Sequence, residues 1–423
     1  MPTVKASAST FFGWRMVGVA FLVDFMAVGF FFYSFGIFYP AMDADFEGGS
    51  FGIAICLSVS NVVSGIAAPF IGWALDRFPV RNVMLIGTGL VSAGFAALSQ
   101  VTTLFQLYLV FGTFFALGMG MMGGMASAKL VANWFILQRG KALGRATMGV
   151  SLSGMVMPAV ATWIIAEVGW RTGFLIYSAG TLIVVVPLVL RFVVTRPEDM
   201  GLRPDGLPPA TNPGEAVHDE DIRWSAGEII RSANFWMIAI PFALVFSALS
   251  AILIHIIPYA TDLGISGYRA GLILSVAAGC GVGGKLVFGT LVDRLDPRSV
   301  VWISFGLQMV GLVFMMNVSG YAMLLTGAAI FGFAMGGVVP LQGAVSGMAF
   351  GRQSFGQVMG LMRPAQVLLH AVGIPLMAWI HDTTGTFELA FQIALGVYGL
   401  AAILIAGLRV SHPGVRANEA GLA

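Results

Sequence analysis

Long apolar runs alternate with short clusters of charge, Pro and Gly along nearly the whole chain. That punctuation marks twelve runs, at about 13–39, 50–75, 81–99, 104–132, 140–166, 170–194, 233–261, 267–292, 299–318, 321–349, 354–381 and 386–409. Each is long enough to cross a hydrocarbon core of ~30 Å at a rise of ~1.5 Å per residue. The runs are continuous and lack the alternation of a barrel strand. Backbone in lipid must satisfy its own hydrogen bonds, so each run is predicted to be a transmembrane helix. The first, from Trp14 to Tyr39, is too long for a signal-peptide core and has no small-residue cleavage site after it, so it reads as a retained span.

The polar remainder sets orientation. Of the 22 Lys and Arg, only Arg171 and Arg269 are assigned to outer segments, and only Lys129, Lys285 and Arg363 to spans rather than to their cytoplasmic ends. The others lie on the face that carries the N-terminus, which is cytoplasmic by the positive-inside rule, so both termini are expected inside. The first outer loop, MDADFEGG, carries only acids and agrees. One long polar stretch, 195–232, is rich in Pro, Gly and acids and reads as a cytoplasmic linker. Near its end SAGE, Ser225 to Glu228, predicts a capping box on a short surface helix. The linker divides the chain into six-span units at 1–194 and 233–423.

A short charged loop occurs once in each unit. GWALDRFPVRN begins at Gly72 and GTLVDRLDPRS at Gly289, between the second and third spans of each half. Gly72 and Gly289, Asp76 and Asp293, Arg77 and Arg294, and Arg81 and Arg298 are each 217 residues apart. The chain is an internal duplication of a six-helix unit, an organisation common in transporters.

Composition excludes a soluble domain, since the 423 residues are 58% hydrophobic and only 10% charged. A formal net charge of +2 gives no footprint for a nucleic-acid partner. Cys56 and Cys280 both sit inside apolar runs and have no metal-ligand spacing. GCGVGGK, Gly279 to Lys285, matches part of a phosphate-binding loop, but Leu286 stands where Ser or Thr is required and no strand precedes it. No zinc motif or nucleophile elbow occurs, so neither an enzyme nor a cofactor is expected.

The paired GxxxDRxxxR loops resemble the signature of the major facilitator superfamily, and the resemblance spans nearly the whole chain. GWRMV and YSFGIFYP bracket span one, and NWFILQRGKALG joins spans four and five. RPEDMGLRPDG follows span six, HIIPYATDLGIS ends span seven, and IHDTTGTFELAF joins spans eleven and twelve. Together they are similar to the monocarboxylate transporter and oxalate/formate antiporter branch. The resemblance implies two pseudo-symmetric six-helix bundles enclosing a central site that opens to either face in turn. It gives Asp76, Arg77, Asp293 and Arg294 a gating role, with Asp and Arg holding helices together in one state. It also implies a monomer in a plasma (inner) membrane.

Ionisable groups inside the bilayer carry the functional reading, because each costs about 2.5–3.5 kcal/mol at a helix centre. Lys285 lies about 12 Å, Arg363 about 13 Å and Asp24 about 15 Å from the inner face at helical rise. All three share the midplane, where transporter sites sit. Two cations and one acid suit a monoanion whose carboxylate docks on Lys285 and Arg363. The alternative reading makes Lys285 and Asp24 a structural pair, with Arg363 reaching back toward the inner face. In the branch an Arg four residues before the signature Gly binds the substrate carboxylate, and Lys285 holds that position here. The resemblance places Gln366 where oxalate exchangers carry a Lys. Asp24, His255 and His370 are candidates for proton coupling. Tyr33, Asn61, Ser34, Tyr108 and Gln342 could complete a pocket or serve as packing contacts.

The expected function is secondary transport of a small organic anion, with a monocarboxylate such as lactate or pyruvate and a proton as cargo. Carriage of a larger neutral or cationic amphiphile at Asp24, anion exchange, and a transporter fold retained as a sensor are the alternatives.

Overall fold

The computed structural model describes residues 11–43, 45–46, 49–207 and 222–410. The N-terminal ten residues, part of the acidic first loop, the middle of the linker and the tail after 410 lie outside the described residues. Helices account for every long apolar run. In order they are α1 Gly13–Met42, α2 Gly49–Arg77, α3 Val80–Leu98 and α4 Leu104–Trp134, then α5 and α6 within Arg139–Phe192. The second half comprises α7 Ala233–Asp262, α8 Gly267–Leu291, α9 Pro297–Met316, α10 Tyr321–Phe350, α11 Phe355–Thr384 and α12 Glu388–Ile405. The stretch Arg139–Phe192 breaks at Gly169, whose φ of 75° is open to glycine at little cost, and α5 turns there into α6. With that break, the described residues give twelve helical segments where twelve runs predict them.

Ends follow local chemistry. Pro79 and Asp296 cap α3 and α9 at the two repeated loops, and the Asp296 carboxylate accepts the Ser299 N–H. Ser225 and Glu228 form the predicted capping box on the short helix Ala226–Arg231. Side chains outside the bundle are apolar: Phe70, Ile183 and Ile403 are 71%, 72% and 72% exposed, as a lipid-facing surface requires.

Packing produces two cores. One runs from Met16 to Val193 and the other from Ile229 to Val410. The halves meet where glycines let backbones touch. A Cβ added at Gly72 of α2 would stand 2.1 Å from the Gly356 carbonyl oxygen of α11, and one at Gly289 of α8 would stand 2.5 Å from that of Gly140 on α5. The duplicated loop thus puts equivalent glycines at two equivalent crossings, α2 with α11 and α5 with α8.

Candidate functional site

Two latches and one buried cluster stand out, all on the side of the membrane that carries the linker or at mid-depth. In the first latch, the Asp76 carboxylate accepts the N–H of Gly356 at 2.9 Å and of Gln357 at 2.7 Å. These are orphan donors of the first turn of α11, in the opposite half, and an anion there also meets the positive end of the helix. In the second, Asp293 accepts the N–H of Gly140 and of Lys141, each at 2.7 Å, at the start of α5. The two copies of the loop therefore do the same thing in opposite directions. Each half supplies a carboxylate that caps a helix of the other.

The latches differ in charge balance. Lys129, on α4, pairs with Asp76 at 2.6 Å and also donates to the Arg352 carbonyl. Position 346, the duplicate of 129, holds Ser346, and among the described residues Asp293 has no ion pair. Burial raises the Asp293 carboxyl from 3.8 to about 7, partly opposed by the two N–H donors and Arg139, with Asp205 adding to the rise. Among the described residues the latches are made with backbone N–H groups, and neither Arg77 nor Arg294 bonds to them. Arg77 is exposed beside the Trp73 ring, and Arg294 is exposed with no ion pair among the described residues. Arg81 donates to the Leu190 carbonyl within its own half, and Arg298 pairs with Asp296 beside it.

Linker residues brace both latches. Asp205 accepts the N–H groups of Ile136, Leu137 and Gln138, the turn that leads into α5. Glu198 pairs with Arg352 at 2.6 Å, just before α11. Arg223 donates to the Asp76 carbonyl. Lys129, Glu198 and Asp205 were not assigned roles from the sequence. Only Lys129 carried a signal, as a cation inside an apolar run.

At mid-depth, Lys285 is 8% exposed and crosses between the halves. Its ammonium donates to the Thr147 carbonyl at 2.8 Å and the Ser151 hydroxyl at 2.6 Å, both on α5. Asp24 does not pair with it directly. Instead its carboxylate accepts the Gly124 N–H at 2.8 Å, where α4 breaks and Gly124 adopts φ 43°. The aspartate thus caps the helix Met125–Trp134, which counts against the direct structural pair. Asp24 and Lys285 still lie within electrostatic reach of each other. Arg363 has no ion pair among the described residues; its guanidinium donates to the Gln366 amide oxygen at 3.3 Å.

The remaining candidates scatter. His370 bonds the Ser250 hydroxyl and the Gln366 carbonyl, so it sits one turn beyond Gln366 and two beyond Arg363 on α11. His255 is 9% exposed, bonded to the Ala251 carbonyl and beside the Phe387 ring, away from that line. Tyr33 packs on Gly154 of α5 next to a widened π-helical turn, Gly29–Tyr33. Asn61 is exposed and donates to the Leu57 carbonyl of its own helix. Ser34 bonds the Tyr177 hydroxyl, Tyr108 the Gly52 carbonyl, and Gln342 the Met362 sulfur, all packing contacts.

The chain is 27% identical over 417 residues to monocarboxylate transporter 11 of Homo sapiens, covering 95% of this chain and 84% of that protein. It is 23% identical over 430 residues to monocarboxylate transporter 12 of Mus musculus, covering 94% and 85%. Among solved structures it superposes on the human organic anion transporter MFSD10 with a TM-score of 0.71, at 16% identity over 93% of this chain and 99% of that one. The transporter FucP in its outward conformation gives 0.67 at 14% identity, over 94% and 99%. A family model described as Major Facilitator Superfamily matches residues 19–316 and 256–422. Together with the duplicated latch and twelve spans, that match makes the chain a transporter of the major facilitator superfamily.

Proposed function

We propose that the chain carries a small organic monoanion, a monocarboxylate such as lactate or pyruvate, together with a proton. The observation that carries this reading is a pair of intramembrane cations, Lys285 and Arg363, with no carboxylate partner within ion-pair distance among the described residues. An unpaired buried cation is costly unless an anionic ligand completes it. A substrate carboxylate would do so, exchanging water for charge-assisted bonds. Gln366 beside Arg363 adds dipole and no charge, which favours a monoanion over a dicarboxylate. Asp24 is already occupied as the cap of the broken α4, which disfavours it as a free anion for a cationic amphiphile. The names of the relatives point the same way.

Coupling follows from charge. Formal charges of Lys285, Arg363 and ionised Asp24 sum to +1, and protonation of Asp24 raises the sum, which draws an anion in. His370, adjoining Gln366, is the second candidate for the proton. The halves, 1–194 and 233–423 about the linker 195–232, move as bodies. The latches close the linker side, taken as cytoplasmic. On this reading the protein works as a monomer in a plasma membrane.

The test is internal acidification in proteoliposomes holding a pH-sensitive dye, with lactate, pyruvate, formate, acetate and oxalate offered in turn. Acidification that saturates with a monocarboxylate and is absent in Lys285→Ala supports the reading. Folded, oriented protein that gives no acidification with any of them overturns proton-coupled monocarboxylate transport.

A further inference from the structure

We propose that a furrow between α1 and α5 on the outer surface binds the headgroup of an anionic phospholipid from the linker-side leaflet. The furrow, of about 440 Å³, is lined by Trp14, Val17, Gly18, Phe21 and Arg145. Two cations lie over the Trp14 ring: the Arg145 guanidinium is 4.6 Å and the Lys141 ammonium 5.3 Å from its centroid. Arg15 is exposed beside it.

The furrow faces lipid. On α5, Gly144 packs against the Lys285 backbone of α8, Gly149 against the Phe21 backbone of α1, and Leu143 against Gly343 of α10. At roughly 100° per residue, Lys141 and Arg145 fall on a fourth side. That side continues through Leu152 and Met155, 40% and 69% exposed. Trp14 stands in the first turn of α1, where Trp favours the headgroup level, and the Arg145 guanidinium, six residues into α5, reaches back to that ring.

Among the described residues neither cation has an anion: the Lys141 ammonium donates only to the Gln138 amide oxygen, at 3.2 Å, and neither Arg145 nor Arg15 has an ion pair. The nearby Asp293 carboxylate is turned to the α8 side of the helix and takes the Gly140 and Lys141 N–H groups. A phosphodiester can accept from Lys141 and Arg145 together. Below it, open space over Gly18 leaves room for an acyl chain along Val17 and Phe21. Basic pockets between helices on the inner face suit lipid phosphate. A bound lipid would also tie the first turn of α5, which Asp293 latches, to the bilayer.

Native mass spectrometry of the full chain reads this directly, with phosphatidylglycerol, phosphatidylcholine and phosphatidylethanolamine of matched chains. Wild type should retain phosphatidylglycerol in preference to the other two. Each cation near an anionic surface contributes about fivefold, so Lys141→Gln with Arg145→Gln should lower retention roughly 25-fold. Arg191→Gln with Arg231→Gln, which removes equal charge elsewhere on the linker side, should leave it unchanged. Gly18→Leu, which fills the furrow and keeps every charge, should also weaken retention and serves if the first pair fails to fold. No preference for phosphatidylglycerol, or equal losses in both double variants, overturns the proposal. So does displacement of the lipid by millimolar inorganic phosphate, which would mark a site for the free anion.

Discussion

Lys285 and Arg363 are where one residue changes the most. Lys285 spans the two halves through Thr147 and Ser151, so on the proposed reading it would sense both the cargo and the closure of α5 on α8. A charge-assisted bond to a carboxylate is worth about 1.5–3 kcal/mol. Lys285→Ala should therefore weaken substrate binding about 10- to 150-fold in equilibrium titration of purified protein. Lys285→Arg should restore part of it, whereas a purely structural lysine would not show that rescue. Asp24→Asn keeps an acceptor for the Gly124 N–H and removes the charge. It should leave melting temperature unchanged and abolish the pH dependence of uptake. If the pH dependence survives intact, His370 becomes the residue to change. Intramembrane charge made these positions legible in the sequence. Their partners were not legible, because Gly124 and Ser151 are ordinary apolar-run residues that become partners only when distant helices meet.

At the scale of elements, the repeated loop was legible as a repeat, and the spans were legible from apolar runs bounded by Pro, Gly and charge. The reach of each loop across the molecule was not. Asp76 caps α11 some 280 positions later, and nothing local to either segment records that pairing. Asp76→Ala would leave Lys129, 4% exposed, without its anion, and breaking such a buried pair costs about 3–5 kcal/mol. Asp76→Ala with Lys129→Met should recover much of that loss, read as melting temperature in detergent. Gly289→Val would force side-chain atoms into the Gly140 backbone and should hold the linker side open, read as a longer α5–α8 spin-label distance. The Asp293 latch carries a pH response. The carboxyl has a pKa of about 7 when the latch is closed and near 3.8 when exposed. The closed form thus binds more protons between those values, so acid favours closure, and closure weakens as pH rises through about 7. Asp293→Asn mimics the protonated group and should flatten the α5–α8 distance against pH, while wild type lengthens above neutrality.

Across the whole molecule, two cores meet at two glycine crossings, and the hydrogen bonds between the halves cluster on the linker side. That arrangement suits a rocker whose closed side is fastened by helix caps. Caps can be released without exposing apolar core, since both partners regain water. The linker is part of the fastening, because Asp205 and Glu198 brace the entries to α5 and α11. Sequence composition marked it only as a polar spacer, since a brace of backbone N–H groups leaves no pattern in the side chains. Substrate identity is the least legible level. Charge selects an anion, and the shape that selects its carbon skeleton is spread over many helices.

The most direct measurement of the central claim is counterflow of labelled lactate or pyruvate in proteoliposomes loaded with the same unlabelled acid, comparing wild type with Lys285→Ala and Arg363→Gln. Counterflow needs no pH gradient, so it reads the anion site apart from coupling. The account predicts saturable counterflow in wild type that both substitutions reduce at least tenfold, the lower bound for one charge-assisted bond of about 1.5 kcal/mol. Counterflow that persists unchanged in both variants would contradict it and remove the two cations from the substrate site.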